Sequence, residues 1–207
     1  MTQRNTRALE AVVLAAGLGA RFGGDKLLAA LDGAPLVAHA LATAFAAPAR
    51  RVFVTIGEDG RPRAAIEAAA ARLGAAERLV LVTVGNPAAG MGASLAAGIA
   101  ALPADATGAF VFLGDMPRID PATPARLVPA LTTPDMAVAP TFEGRRGHPV
   151  LFGAGWFPAL RTLRGDEGAR ALLESAGARL ARVPLEDPGI HLDVDRPEDL
   201  TRAVEAR

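Results

Sequence analysis

The sequence predicts an α/β fold with a doubly wound, mostly parallel sheet that is flanked by helices. Near-continuous apolar runs, typical of strands covered on both faces, occur at 11–17, 51–57, 78–85 and 108–115. Helical patterns long enough to return over a sheet separate these runs, at 34–47, 61–74 and 91–102. The alternation of the two patterns is what predicts this fold class.

Shorter elements follow in the second half of the chain. Residues 136–142 and 148–153 have strand-like patterns and flank the charged turn "EGRRG". A helix is predicted at 166–177, a strand at 179–185 and a last helix from Pro197. The sequence contains no linker, repeat or low-complexity tract, which predicts a single domain over 1–207.

Composition restricts the classes of partner. The 207 residues balance 22 basic against 22 acidic side chains, which argues against nucleic acid or an anionic membrane as the partner. The absence of cysteine excludes disulfides, thiolate metal sites and a cysteine nucleophile. Neither a signal peptide nor a run of about 18 apolar residues is present in the sequence. We therefore expect a cytoplasmic protein with small-molecule partners.

The segment "LAAGLGARFGGDK" directly follows the first predicted strand. Its glycines, which include Gly17 and Gly19, allow a tight turn whose backbone N–H groups cradle phosphate oxygens; a plain surface loop is the alternative. The spacing matches neither the Walker A loop nor the dinucleotide fingerprint. Arg21 and Lys26 add positive charge, and Lys26 is the only lysine in the chain. A compact ammonium at this one position favours phosphate binding.

Two acidic segments are candidates for a metal site. Asp115 follows the apolar strand "GAFVFLGD", at the edge of the sheet where open α/β folds bind ligands. Mg²⁺ prefers such oxygen ligands and shares its shell with substrate phosphates, although a strand-end aspartate also caps turns. Asp195, or alternatively Asp193, in "LDVDRPEDL" is the second candidate. Its other interpretation is a helix cap with Glu198 three residues later.

The turn before the strand at 148–153 carries a third candidate group. Arg145 and Arg146 are suited to hold a phosphate or carboxylate of an acceptor, and His148 lies beside them. A solvated surface turn is the alternative.

Six motifs in chain order together resemble one known family. They are "LAAGLGARFGGDKLL…DGAPLVAHAL", "GNPAAGMGASLAAGIAAL", "VFLGDMP", "GRRGHPVLFG", "GDEGARALL" and "DPGIHLDVDRPEDL". The chain resembles the molybdenum cofactor nucleotidyltransferases from about residue 11 to 204, and among them the MocA-like cytidylyltransferase branch. The resemblance implies a nucleotide-diphospho-sugar transferase (Rossmann-like) fold. It also implies Mg²⁺-dependent transfer of CMP from CTP to the phosphate of molybdenum-bound molybdopterin, with release of pyrophosphate.

The resemblance also implies roles for individual residues. Arg21, Lys26 and Asp115 are the implied catalytic residues, and Asp115 and Asp195 the implied metal ligands. The implied nucleotide-binding residues are Leu14, Ala15, Ala16, Gly17, Gly19, Arg21, Lys26, Gly90 and Ser94.

The substrate pair is less sharply implied than the reaction. "LAAG" in place of "LAGG", together with the loop from Gly90 to Ser94, points to cytosine rather than guanine. Two alternatives stay open: a transferase of the same fold that uses GTP and molybdopterin or a sugar phosphate, and a non-catalytic chaperone that binds the cofactor. A molybdoenzyme is the expected recipient of the product.

Overall fold

The computed structural model of the chain describes residues 8–17, 22–85, 90–166 and 168–205. Its strands are Leu9–Leu14 (β1), Ala30–Leu31 (β2), Ala34–Pro35 (β3), Val52–Gly57 (β4), Leu79–Val84 (β5), Gly108–Leu113 (β6), Ala137–Phe142 (β7), Arg145–Arg146 (β8), Val150–Gly153 (β9) and Leu180–Pro184 (β10). Its α-helices are Leu36–Ala46 (α1), Arg63–Arg72 (α2), Met91–Ala100 (α3), Thr123–Leu127 (α4), Phe157–Arg161 (α5), Arg170–Glu174 (α6) and Pro197–Glu205 (α7).

The main sheet has the strand order β10-β7-β9-β6-β1-β4-β5, and β8 pairs with β7. β1 is parallel to both β4 and β6, β4 is parallel to β5, and β7 is parallel to β10. Only β9 runs antiparallel to its neighbours β6 and β7 within this described strand order. The predicted α/β fold with a mostly parallel sheet flanked by helices is confirmed. The prediction of a single domain over 1–207 stays a prediction.

Apolar side chains cover both faces of the sheet, as the continuous apolar runs predict. On one face, Val13 and Val54 pack with residues of α1, α2 and α4. On the other face, Val12 and Phe53 pack with residues of α3, α5 and α6. Successive strand residues therefore contribute to opposite cores, which fixes the register of each strand.

The strand directions bring several loops to one edge of the sheet. The ends of β1, β4, β5 and β6 and the start of the antiparallel β9 all lie there, because β9 runs opposite to β6. β4 and β5 lie beyond β1, whereas β9, β7 and β10 lie beyond β6. The direction in which strands are added to the sheet therefore reverses between β1 and β6. A reversal of this kind leaves a crevice in which α/β proteins bind ligands.

Two predicted elements differ from the structure for local reasons. The "EGRRG" segment contains β8, which forms a tight hairpin with β7 through Glu143 and Gly144, at φ 50° and 76°. The helix predicted at 166–177 is limited to α6, since Gly165 and Gly168 take φ values of 75° and 55°. Left-handed backbone of this kind does not continue a helix.

Candidate active site

Lys26 joins the two carboxylates that the sequence predicts as metal ligands. Its Nζ donates hydrogen bonds to Asp115 Oδ2 at 2.7 Å and to Asp195 Oδ1 at 3.0 Å. Asp115 is 89 positions and Asp195 is 169 positions after Lys26 in the chain, so the fold alone assembles the cluster. The Lys26 side chain is only 13% exposed, and the Asp195 side chain is 43% exposed.

Backbone contacts place Asp115 beside the first strand. The N–H of Gly114 donates to the carbonyl of Leu14 at 2.9 Å, which continues the β1–β6 pairing past the end of the strands. A Cβ on residue 114 would lie 2.9 Å from that same carbonyl oxygen, so glycine allows this approach. Asp115 therefore lies at the point where the strand order reverses.

The start of α7 places Asp195. The N–H of Val194 donates to the carbonyl of Asp115 at 3.0 Å, which holds this segment against the end of β6. The Asp199 carboxylate accepts hydrogen bonds from the N–H groups of Asp195 at 2.9 Å and Arg196 at 2.8 Å. Asp199, rather than the Glu198 of the predicted capping arrangement, satisfies these N–H groups, and the Asp195 side chain points to Lys26.

The pKa values of Lys26 and Asp193 are both raised, which favours the charged form of the lysine and the neutral form of the carboxyl group. Burial lowers the pKa of Lys26, but the Asp115 and Asp195 carboxylates outweigh it and raise the pKa above its usual value. Desolvation raises the pKa of Asp193, and the nearby Asp195 and Asp115 carboxylates add to this effect. Lys26 is therefore stabilised in its charged form, whereas the Asp193 carboxylate is destabilised in its charged form.

Two buried polar atoms at this edge have no hydrogen-bond partner within the described residues. One is Asp115 Oδ1, whose carboxylate uses only Oδ2 toward Lys26. The other is Nδ1 of His148, a residue fixed at the start of β9 by its backbone N–H bond to Ile190, 3.1 Å long. Burial lowers the pKa of His148, whose charged neighbours are Asp115 and Arg146. An unsatisfied buried polar atom calls for a partner such as an ion, a water or a ligand.

A cavity of about 240 Å³ opens between the ends of β1 and β4. Ala15, Ala16, Gly17 and Lys26, all predicted to bind nucleotide, line it. Leu28 and Pro62 add apolar surface to its wall. Apolar and charged side chains both line the cavity, and its volume is somewhat below the roughly 300–1,000 Å³ that is common for small-molecule pockets.

Charged residues that the sequence did not single out also line the cavity. Arg61 pairs with Asp25 and with Asp59, both at 3.0 Å. Glu58 lines the same wall and has no hydrogen bond or ion pair among the described residues. Its Oε1 lies 3.5 Å from where a Cβ on Gly85 would stand, so the carboxylate extends toward the end of β5. The position of Glu58 and Arg61 just after β4 was the available signal in the sequence. No recognisable motif follows β4, so these residues were not singled out.

The other predicted residues lie around this edge. Leu14 is the last residue of β1, and Gly90 and Ser94 lie at the start of α3. Gly90 and Ser94 are not among the residues that line the cavity. Arg145 and Arg146 are on β8. Gly19 and Arg21 lie outside the described residues.

The fold is of the nucleotide-diphospho-sugar transferase type. Residues 11–183 match the model of the MobA-like NTP transferase domain, and the chain belongs to this family. The membership agrees with the resemblance to molybdenum cofactor nucleotidyltransferases at the level of the family.

Curated relatives extend over most of the chain. It is 33% identical over 196 residues to the purine catabolism protein PucB of Bacillus subtilis, which covers 91% of the chain and 92% of PucB. It is 34% identical over 184 residues to the bifunctional protein GlmU of Mycobacterium sp. (strain KMS), which covers 86% of the chain and 35% of GlmU. The chain thus spans about a third of that bifunctional relative.

Solved structures show the same fold. Rv0371c of Mycobacterium tuberculosis is similar with a TM-score of 0.80 and 28% identity, over 97% of this chain and 100% of that one. A complex of Rv0371c with manganese has a TM-score of 0.74 and also 28% identity, over 97% of this chain and 100% of that one. None of the helices in the described ranges has the length and apolar character needed to cross a bilayer.

Proposed function

We propose that the protein is a CTP:molybdopterin cytidylyltransferase that requires Mg²⁺. It moves CMP from CTP to the phosphate of molybdenum-bound molybdopterin and releases pyrophosphate. The observation that carries nucleotidyl transfer is the Lys26–Asp115–Asp195 cluster beside the cavity at the end of β1. A cation and two carboxylates at the crossover of a parallel sheet suit a triphosphate with a divalent metal.

The nucleotide lies along the end of β1 in this proposal. The backbone of Ala15, Ala16 and Gly17 borders the cavity, and Lys26 closes one side of it. Lys26 takes up charge on the β- and γ-phosphates, together with Arg21 of the glycine loop. Because Lys26 already faces two carboxylates, its ammonium turns from them toward the phosphates when the nucleotide enters.

The two carboxylates fit a divalent metal. The buried Asp115 Oδ1 has no hydrogen-bond partner among the described residues, and a bound cation would satisfy this oxygen. Asp115 and Asp195 would hold Mg²⁺, and waters and phosphate oxygens suit its remaining positions. When bound, the ion neutralises phosphate charge and orients the α-phosphate. The manganese complex of the similar Rv0371c supports a divalent metal in this fold.

The transfer itself needs orientation and charge stabilisation. An oxygen of the acceptor phosphate forms a bond to the α-phosphorus of CTP, and the bond from that phosphorus to the bridging oxygen of pyrophosphate breaks. The acceptor phosphate is already ionised at neutral pH, so this step requires no general base. Lys26 stabilises the charge that grows on the departing pyrophosphate. Arg145, Arg146 and His148 hold the acceptor on the other side of Asp115.

Glu58 supports a base that carries an exocyclic amine. Its carboxylate is an acceptor only and has no partner among the described residues, so it suits the N4 amine of cytosine. Uracil presents a carbonyl oxygen at the same position and would face the carboxylate unfavourably. Guanine and adenine also carry exocyclic amines, so Glu58 does not distinguish them from cytosine. The "LAAG" segment is what favours cytosine over guanine.

A second candidate is a transferase of the same fold with another nucleotide or acceptor. The match to the bifunctional GlmU proteins favours this candidate, because their name does not refer to molybdopterin. The nearly end-to-end match to a purine catabolism protein, PucB, also fits this second candidate. The cytoplasmic location stays a prediction from the sequence.

Pyrophosphate release tests these candidates. Purified protein with Mg²⁺ is given CTP, GTP, ATP or UTP, each with and without molybdenum cofactor or a sugar phosphate. Release that requires both CTP and molybdenum cofactor supports the proposal, and release with another pair supports the second candidate. Binding of the cofactor without release by any pair supports the non-catalytic chaperone.

A further inference from the structure

We infer that Arg61 binds the terminal phosphate of the nucleotide, and that Asp25 binds this arginine again when pyrophosphate leaves. The inference rests on the proposed nucleotidyl transfer and adds to it a binding residue and a means of product release. It concerns the phosphate end of the nucleotide, so it does not depend on which base or acceptor the protein uses.

Arg61 joins the two walls of the cavity at the ends of β1 and β4. It lies between β4 and α2 and lines the cavity together with Lys26. Its Nη1 donates to Asp25 Oδ1 at 3.0 Å, and Asp25 belongs to the opposite wall. Because Asp25 directly precedes Lys26 in the chain, the guanidinium lies at the end of the loop that is proposed to hold the phosphates.

The guanidinium of Arg61 has donors to spare in this position. Asp59 Oδ2 lies 3.0 Å from its Nε, and Asp25 accepts from Nη1. Asp59 also accepts a long hydrogen bond, 3.5 Å, from the backbone N–H of Arg61. Nη2 has no hydrogen-bond partner among the described residues, so its two N–H donors can bind a phosphate oxygen while the other contacts persist.

The ion pairs of Arg61 are weak enough to be exchanged for a phosphate. The side chains of Arg61, Asp25 and Asp59 are between 49% and 60% exposed, and exposed ion pairs contribute little to stability. A terminal phosphate carries more negative charge than one carboxylate and accepts two parallel hydrogen bonds from an arginine. The phosphate therefore displaces the Asp25 carboxylate from the guanidinium when the nucleotide enters the cavity.

The backbone at Asp25 gives a second reason to connect its carboxylate with Arg61. Asp25 has φ 46° and ψ 25°, in the left-handed region, directly after Gly23 and Gly24. Glycine adopts this conformation at lower cost than aspartate. The usual compensation is a side-chain cap, but the Asp25 carboxylate makes no cap bond to the 3₁₀ turn Lys26–Leu28 that follows. Its hydrogen bond goes to Arg61 instead.

The same exchange explains how the product leaves. After transfer, the phosphate that Arg61 holds is one end of the pyrophosphate. The Asp25 carboxylate, which Arg61 has left, then faces this anion and repels it. The return of Arg61 to Asp25 removes a phosphate contact and pairs both charges again, which favours release of pyrophosphate.

Calorimetry with inorganic pyrophosphate and Mg²⁺ tests the role of Arg61 in the whole chain. We expect pyrophosphate to bind about tenfold more weakly to Arg61→Ala than to wild type, because one guanidinium contact is lost. Arg61→Lys keeps the charge and should recover part of the affinity. Arg63→Ala is the matched control, since Arg63 is exposed, pairs with Glu67 at 3.5 Å and is not among the residues that line the cavity. Equal affinities of Arg61→Ala and Arg63→Ala overturn the inference.

Asp25→Asn tests the release step. Asparagine tolerates the left-handed backbone as well as aspartate does, so this variant removes only the charge. Pyrophosphate should bind two- to threefold more tightly to it than to wild type and should inhibit turnover more strongly. Unchanged or weaker binding of pyrophosphate overturns the role of Asp25.

A comparison of nucleotides separates this inference from the proposed function. Arg61→Ala should lose affinity for CTP but not for CMP, which lacks the terminal phosphate. An equal loss for both nucleotides, or no loss for CTP, overturns the inference and leaves nucleotidyl transfer in place. Pyrophosphate binding that depends on Arg61, without pyrophosphate release from any pair of substrates, supports the inferred contact and rejects the proposed function.

Discussion

At the scale of a single residue, Lys26 contacts two carboxylates and is also proposed to bind phosphates. Its ammonium cannot make both sets of contacts at once. Its ammonium lies between Asp115 and Asp195, where the proposed metal would bind. In the proposed transfer, the same ammonium is needed at the phosphates. We therefore propose that the lysine holds the two carboxylates together before the substrates arrive, and that the nucleotide phosphates attract it away.

Lys26→Met tests this exchange through metal binding. Without the ammonium, the two carboxylates repel each other and attract a divalent cation more strongly. We expect Mn²⁺ to bind the nucleotide-free variant about tenfold more tightly than the nucleotide-free wild type. Electron paramagnetic resonance of free Mn²⁺ measures this affinity, and pyrophosphate release should fall severely in the same variant.

A double variant gives the control for this prediction. Adding Asp115→Asn to Lys26→Met should abolish the gain in Mn²⁺ affinity, because one carboxylate is lost. Equal Mn²⁺ affinity in Lys26→Met and wild type would show that the ammonium does not compete for the metal position.

Part of this residue-level picture was predictable from the sequence. Asp115 and Lys26 each follow a strand end, and parallel strand ends meet at one edge, so their proximity follows from the strand pattern. The direct contact between Lys26 and the carboxylates was not predicted, because phosphate binding and metal binding were assigned to them separately. Glu58 and Arg61 were not predicted either, since a charged residue after a strand looks like any solvated loop.

At the scale of an element, the start of α7 positions one member of the cluster. Asp199 binds the N–H groups of Asp195 and Arg196 and also pairs with Arg202. Asp199→Ala leaves these N–H groups without their partner, which lowers the free energy of unfolding by about 1 kcal/mol. The turn that carries Asp195 also loosens, so pyrophosphate release should fall.

Glu198→Ala is the matched control for Asp199→Ala. Glu198 is the neighbouring acidic residue and is exposed, so its removal should change the unfolding free energy by less than about 0.5 kcal/mol.

The pair with Arg202 and the two backbone bonds hold the pKa of Asp199 below its ordinary value of 3.8. The stabilisation is therefore complete above about pH 4 and is lost as the pH falls through the lowered pKa. Denaturant unfolding at several pH values measures both effects, and equal stability of the two variants would reject the cap.

Short elements show why the sequence predicted some of the fold less well. β8 has two residues, too few for a periodic pattern, and its hairpin depends on the positive φ of Glu143 and Gly144. Asp199, and not Glu198, accepts the hydrogen bonds at the start of α7. Sequence spacing alone does not distinguish these two neighbouring acidic residues. The long elements β1, β4, β6 and α3 carry enough repeated apolar positions to be located from the sequence within a few residues.

At the scale of the whole molecule, the two edges of the sheet have different chemistry. The edge at the strand ends carries the proposed site, with two buried polar atoms that have no hydrogen-bond partner among the described residues. The opposite edge carries a charge cluster in which every member has a partner. There Arg50 donates to the buried Glu10 at 2.8 Å and to Asp105 at 2.9 Å, and the N–H of Arg51 donates to Glu10 at 3.0 Å. We infer that this second edge serves stability.

Glu10→Gln separates stability from activity. The side chain of Glu10 is 1% exposed, and the substitution removes a charged acceptor from Arg50 and from the N–H of Arg51. Hydrogen bonds to charged groups of this kind are worth about 2 kcal/mol, so denaturant unfolding should show a loss of that size. Asp105→Asn removes the exposed partner of the same arginine and should leave stability near the wild-type value, because an exposed pair contributes little. β1 separates Glu10 from the proposed site by about 15–20 Å, so both variants should keep the wild-type rate of pyrophosphate release. A strong loss of turnover in a folded Glu10→Gln protein would show that the two edges are coupled, contrary to the division of roles inferred here.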